Sequence, residues 1–230
     1  EEDPVLNYIK KEEYKALTTT ERNQKALDSY TKRNKNNVEI GKVYERYIGY
    51  VYEKQGFRVN YHGIENGLND LGIDLICTKN TETYFIQCKF WKKHKTIHEN
   101  HINQLYGTSI KHYLDHKNEF KKLNANTLFP ELISAKKITP VLVTTANISE
   151  RAKDFASVLG VKLETEIEFE SGYPMIKCNI SSTNQKIYHL PFDLQYDKTR
   201  VLENGGLYVK TVEEAEALGF RRAYKWNWDK

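Results

Sequence analysis

The sequence predicts an α/β protein, a mixed central sheet flanked by helices with a small α+β unit after it. Three observations carry this. An amphipathic run over residues 38–55 precedes three short apolar runs, the last two joined by a polar turn at 79–83. Residues 139–145 form a nearly all-apolar stretch of the kind covered on both faces of a sheet. After about residue 166 aromatics, Asn, Pro and Gly become frequent, which marks a change of unit.

Residues 1–37 are polar, with sparse helical spacing at Tyr8, Tyr14, Leu17 and Leu27. They predict a helical extension, docked on the body or reaching a substrate. In 38–55, Ile40, Val43, Tyr44, Tyr47, Ile48 and Val51 recur at steps of three and four, and Gly56 suits a C-cap. Strands are expected at 57–62, 72–78 and 83–90. A helix follows over 96–116, with Ile97, Ile102, Leu105, Ile110, Tyr113 and Leu114 as its apolar set. A long polar connection covers 117–137. The buried strand at 139–145 leads to a helix that Asn147 is placed to cap, with Glu150 reaching back. That helix stops at Gly160, and Val161-Lys162-Leu163 opens the last core strand, giving the order α-β-β-β-α-β-α-β. In 174–226, short strands are expected at 176–180, 187–190 and 207–209, with a helix at 212–218 capped by Thr211. The domain boundaries expected are therefore 1–37, 38–165 and 174–226.

Composition narrows the class. Hydrophobic content of 39% with 29% charged residues suits a water-exposed globular chain, and no apolar run approaches the roughly 20 residues that span a bilayer. The opening Glu-Glu-Asp-Pro does not read as a signal peptide, and a first residue other than Met suggests a trimmed chain. Cys77, Cys88 and Cys178 are an odd set without metal-ligand spacing, and the first two lie in apolar runs; buried thiols in a reducing, cytoplasmic setting are expected. A net charge of +4 says little about partners, but its distribution says more. From Lys89 to Lys122 eight Lys and five His face three acids, a local basic region that suits a polyanion and also suits a solvated helix face.

The chemistry concentrates in Gly72-Ile73-Asp74-Leu75-Ile76 and Gln87-Cys88-Lys89. Strand side chains alternate, so Gln87 and Lys89 share a face and Cys88 takes the other. Paired as neighbours, the two runs can gather a carboxylate, an amide oxygen and an ammonium around one point, a set that can hold a hard divalent cation. The residues alone leave a plainer alternative, with Asp74 in a strand-end turn network and Lys89 blunting an edge strand. No Gly-rich phosphate loop ends in Gly-Lys-Ser/Thr, and the His residues lack both a Glu after His112 and a Cys pair, so neither an NTPase motor nor a zinc motif is visible. The histidines near the basic region are expected to be solvated or phosphate-facing.

Taken in order, Glu45 on the first helix, Gly72-Ile73-Asp74-Leu75-Ile76, Gln87-Cys88-Lys89, Gln104-Leu105-Tyr106-Gly107, Val143-Thr144-Thr145 and Ala152-Lys153-Asp154-Phe155-Ala156 resemble the Mrr-like restriction endonucleases of the PD-(D/E)XK nuclease superfamily. The resemblance spans about 38–165 and implies the restriction-endonuclease-like fold. It implies Asp74 as the central metal ligand, Gln87 as a neutral donor where most of the superfamily has a second acid, Lys89 as the group that positions the attacking water, and Glu45 completing the metal shell. Asp70 and Gln104 are implied outer contributors. Mg2+ or Mn2+ is the implied cofactor, and DNA the implied substrate. Lys92, Lys93, Lys95 and Lys111 are expected to bind DNA, with Arg221 and Arg222 on an exposed basic end beside Tyr224, Lys225, Trp226 and Trp228; packing of those aromatics into a small core is the alternative. The stretches Tyr188-His189-Leu190-Pro191, Tyr196-Asp197-Lys198-Thr199 and Glu213-Glu214-Ala215-Glu216-Ala217-Leu218-Gly219 are similar to the small domain called sunset. Together these imply a metal-dependent DNA endonuclease of restriction or anti-phage defence. It would act as a homodimer or larger assembly, any ATP-driven motor being supplied by another subunit. A branched-DNA resolvase and a non-catalytic nucleic-acid-binding module remain the alternatives.

Overall fold

In the computed structural model, residues 2–67, 71–117, 120, 127–165, 167–202 and 205–223 are described. The chain divides into two compact units, one of residues 37–170 and one joining 1–36 to 171–230.

The second of these begins with a 3-10 turn at Pro4–Asn7, α1 (Lys11–Ala16) and α2 (Thr19–Lys32). Thr18 caps α2 in a reciprocal box with Glu21, as its position before a helical run allows.

The 37–170 unit opens with α3 (Asn37–Lys54), the amphipathic helix expected, which buries Tyr44, Tyr47, Ile48 and Tyr52. β1 (Arg58–Asn60) follows, then a short helix that periodicity did not predict, α4 (His62–Asn66). β2 (Leu75–Lys79) and β3 (Glu82–Lys89) form the expected hairpin, in antiparallel register with Leu75 opposite Ile86. The expected start of β2 at Gly72 is corrected to Leu75. Leu71 (φ 54°) and Gly72 (φ 90°) are left-handed, a conformation no strand accommodates. β4 (Thr96–Ile97) precedes α5 (Glu99–Asp115), and within the polar connection α6 spans Phe129–Ser134. β5 (Ile138–Thr144), β6 (Asn147–Ile148), α7 (Glu150–Leu159) and β7 (Lys162–Glu164) complete the unit. The cap of α7 is Ser149, whose hydroxyl accepts the Ala152 N–H at 3.1 Å; Asn147 instead lies in β6 and pairs with Thr96. Gly160 closes α7 in the left-handed conformation (φ 68°), as its missing Cβ permits.

Among the described residues the sheet order is β1-β2-β3-β5-β7, antiparallel across the first three strands and parallel across the last three. Side chains alternate across β3, so each face of the sheet has its own packing. On one face Tyr52 of α3 meets Tyr84 and Phe57 edge-on; on the other Phe85 joins Ile73, Tyr113, Phe129, Leu132 and Ile138 beneath α5 and α6. A second cluster around Leu142, Ile102, Leu105, Ala152 and Ala156 locks α5 and α7 onto β5. Each fully buried Leu, Ile or Phe there contributes roughly 1.5–3 kcal/mol. This is a mixed α/β sheet flanked by helices, consistent with the restriction-endonuclease-like class.

The remaining unit adds β8 (Ile176–Ile180), β9 (Lys186–His189), β10 (Leu207–Val209), α8 (Val212–Ala217) and β11 (Arg221–Arg222), in sheet order β10-β8-β9-β11. Leu27 of α2 is part of its core, beside Ile176, Tyr188, Leu190 and Val209. The first helices and the C-terminal segment, expected as separate pieces, thus share one compact unit.

Candidate active site

Asp74 stands one residue before β2, where its backbone is pinned on both sides: its N–H donates to Ile86 O at 2.8 Å and its carbonyl accepts the Gly63 N–H at 2.8 Å. Its carboxylate Oδ2 accepts the Cys88 N–H at 2.5 Å, which carries it across to the middle of the Gln-Cys-Lys run. A carboxylate bonded to a backbone N–H is held in one orientation.

Gln87, on β3, is 1% exposed. Its Nε2 donates to Gly72 O at 2.9 Å, while Oε1 is buried with no hydrogen-bond partner among the described residues. A buried amide oxygen left unpaired costs about 1–3 kcal/mol, so this atom, on the strand to which Asp74 is bonded, is open to a water or a cation. An oxygen donor next to a carboxylate is what a hard cation takes, and this donor set fits Mg2+ or Mn2+.

Glu45 lies half-buried on α3. Its charge bears on the Cys88 thiol, which is pushed well up, first by burial, then by Asp74 and Glu45, with Lys89 acting the other way. Glu45, Asp74 and Lys89 therefore bear on one side chain. Among the described residues no group of three or more His, Cys, Asp and Glu is arranged to hold a metal; an amide at position 87 falls outside that set of residue types. Asp70 lies outside the described residues. Gln104, on α5, is brought to the site, because its amide and that of Gln87 both crowd the Gly72 α-carbon, within 3.2 and 2.6 Å of where a Cβ would stand.

Lys89 leaves β3 with its Nζ 5.7 Å from the Trp91 ring centre, and Lys95 reaches the same ring at 5.2 Å. Three side chains from the end of β5 and from β6 tie down this segment. Thr144 Oγ1 donates to Lys89 O at 2.9 Å, Thr145 Oγ1 to Trp91 O at 2.8 Å, and Asn147 Nδ2 to Lys93 O at 2.7 Å. Lys92, Lys93 and Lys95 are exposed on the anchored segment. Sequence pattern assigned no positioning role to these three residues; the Thr-Thr pair ending a buried strand was the available signal.

His101 was expected to be solvated or phosphate-facing. Its ring instead packs edge-on against Trp91 at 5.2 Å, with Nδ1 3.3 Å from the His98 N–H, and burial chiefly lowers its pKa. Lys111 is ion-paired with Asp115 at 2.6 Å.

The expectation of an exposed Arg222 is overturned. Arg222 is 3% exposed, with Nη1 3.1 Å from Asp3 Oδ1 and 2.8 Å from Asn23 Oδ1, and Nη2 2.5 Å from Asp193 Oδ1. A guanidinium so enclosed is structural, because burial is tolerable only with its charge paired. Arg221 donates to Gln185 Oε1 at 2.8 Å. Residues 224–230, which include the aromatics of the expected basic end, lie outside the described residues.

These strands, their acid and their lysine sit inside a recognisable segment. Residues 35–120 match the Mrr catalytic family, described as a restriction endonuclease. The match takes in α3 to α5, with Glu45, Asp74, Gln87, Lys89 and Gln104. No curated protein matches the chain. The crystal structure titled as that of a protein of unknown function, AF1548, is similar at 20% identity and TM-score 0.34, over 53% of this chain. The chain spans about half of that protein's length, 56%. No helix among the described residues is long and apolar enough to cross a membrane.

Proposed function

We propose that this chain is a metal-dependent endonuclease cutting phosphodiester bonds in duplex DNA, with Asp74, Gln87, Lys89 and Glu45 as its active site. The observation that carries the reading is the buried, unpartnered Gln87 Oε1 on the strand whose next residue, Cys88, holds the Asp74 carboxylate by its N–H.

Asp74 and Gln87 Oε1 would hold Mg2+ or Mn2+, with Glu45 completing the shell. Such a cation would supply Lewis-acid stabilisation of charge building on the phosphate and lower the pKa of the attacking water. Lys89 orients the attacking oxygen and offsets charge building on the phosphate, a preorganised role that costs no reorganisation during reaction. Thr144 holds the Lys89 backbone, and through it the ammonium. With one carboxylate replaced by an amide, the cage carries one less negative charge, which favours weak, single-ion binding.

Lys92, Lys93 and Lys95 present a basic edge on the segment that follows Lys89, placed to contact DNA phosphates. Asp70 and Gln104 are carried as candidate outer contributors, and Lys111 and Arg221 as candidates for backbone contacts. One active site cuts one strand, so double-strand cleavage requires two copies, in a homodimer or larger assembly. The setting we favour is restriction or anti-phage defence inside the cell, with any motor on a separate subunit. The sunset-like C-terminal segment receives no catalytic role.

The test is cleavage of supercoiled plasmid, linear duplex and four-way junction by the full chain with Mg2+, Mn2+ or EDTA. Metal-dependent nicking of plasmid and duplex is expected. DNA binding that is indifferent to metal, with every substrate intact, would make the chain a binding module; cutting of junctions alone would make it a resolvase.

A further inference from the structure

Gln87 is held by a contact that needs a hydrogen-bond donor at this position. Its Nε2 donates to Gly72 O at 2.9 Å, and the flipped amide would set two acceptors face to face, so the orientation is fixed by chemistry. Oε1 is thereby turned to the other side, where it is buried without a partner. Gly72 makes the arrangement possible twice over. Its φ of 90° aims the carbonyl, and a Cβ there would stand 2.6 Å from Gln87 Nε2 and 3.2 Å from Gln104 Nε2.

We propose that the Gly72 carbonyl selects an amide at position 87, making Gly72 the positioning residue for the neutral metal ligand. The inference rests on the reading of Asp74 and Gln87 as a metal centre. Its consequence is counter to simple charge counting. A carboxylate at position 87 would add a negative charge to the cage, which by Coulomb's law alone should tighten cation binding. A carboxylate has no hydrogen to give Gly72 O. It must turn away from that carbonyl, which moves an oxygen off the cation, or take up a proton, which cancels the added charge.

Mn2+ binding to the full chain, followed by electron paramagnetic resonance at pH 7 without DNA, tests this on wild type, Gln87→Glu, Gly72→Ala and Asp74→Asn, with folding checked by circular dichroism. Wild type is expected to bind and Asp74→Asn to lose binding. Gln87→Glu should bind no more tightly than wild type, about tenfold more weakly, which corresponds to roughly 1.4 kcal/mol. A folded Gly72→Ala should lose at least as much. If Gln87→Glu binds threefold or more tightly than wild type, selection by Gly72 is overturned while the metal centre stands. Equal Mn2+ binding by Asp74→Asn and wild type overturns the metal centre itself. The Gln87→Glu arm decides the matter even if Gly72→Ala does not fold.

Discussion

Asp74 Oδ2 accepts the backbone N–H of Cys88 at 2.5 Å, so the acid at the head of one strand is bonded to the residue between Gln87 and Lys89 on the next. The bond uses main chain on the β3 side, leaving the side chains of Gln87 and Lys89 available to the site. It also ties the acid's position to the hairpin register, Leu75 opposite Ile86, rather than to a side-chain rotamer alone.

The relationship predicts how Asp74→Asn behaves. An Asn carbonyl oxygen can still accept the Cys88 N–H, so the fold should survive with its thermal midpoint little changed. The charge is gone, and single-turnover cleavage should fall by about 100-fold or more, the scale of losing one electrostatic stabiliser. Comparing calorimetry with quench-flow on the same preparation checks both halves; unaltered cleavage contradicts the role given to Asp74.

The anchored basic segment should act on affinity rather than chemistry. Replacing Lys92, Lys93 and Lys95 together by Gln is expected to weaken duplex binding evenly across sequences. It should also flatten the slope of log K against log salt by about 0.9 for each phosphate that a lysine no longer neutralises. Fluorescence anisotropy across a salt titration reads this. An unchanged slope would mean that DNA lies elsewhere.

Arg222 should matter to folding. Truncation as Arg222→Met leaves Asp3 and Asp193, both buried, without their shared cation. Removing one partner of a buried pair costs about 3–5 kcal/mol. Hydrogen exchange should show the loss as faster exchange in β8, β9 and α2, with the β2–β3 hairpin protected as in wild type. Unchanged exchange together with weakened DNA binding would return Arg222 to the surface.

Stability of the 37–170 unit should decline in mild acid. Burial, with the charges of His116 and His62, lowers the pKa of His112 to about 4, Asp115 pulling the other way; its ring stacks on His116 and meets His62 and Phe85 edge-on. The folded pKa lies below the unfolded value of about 6.5, so the unfolded chain binds the proton more readily. The contribution of neutral His112 is present above pH ~6.5 and is lost as pH falls toward about 4. In urea titrations at several pH values, His112→Gln should flatten the dependence in that window; an identical slope would contradict the assignment.

Periodicity made much of the nuclease-like unit legible. The three-and-four spacing from Ile40 to Val51 marks α3, the apolar 139–145 run marks β5, and the turn between Lys79 and Thr83 marks the hairpin. What escaped was non-local or set by backbone conformation. The left-handed Leu71 and Gly72 delay β2, and no pattern of side chains announces them. Ser149 rather than Asn147 caps α7 because Asn147 is already engaged with Lys93 O, a partner 54 residues away in sequence. Arg221-Arg222 read as a basic end because a sequence window around them does not reach Asp193 or Asp3. In the site, the types at 74, 87 and 89 were legible from strand alternation, but the Gly72 carbonyl that orients Gln87 was not.

The most direct test of the central claim is nicking and linearisation of supercoiled plasmid by wild type, Asp74→Ala and Lys89→Ala, each with Mg2+, Mn2+ or EDTA. The account predicts metal-dependent cutting by wild type that EDTA abolishes and that both variants lose while remaining folded. Cutting that persists in EDTA, or in either folded variant, would contradict it.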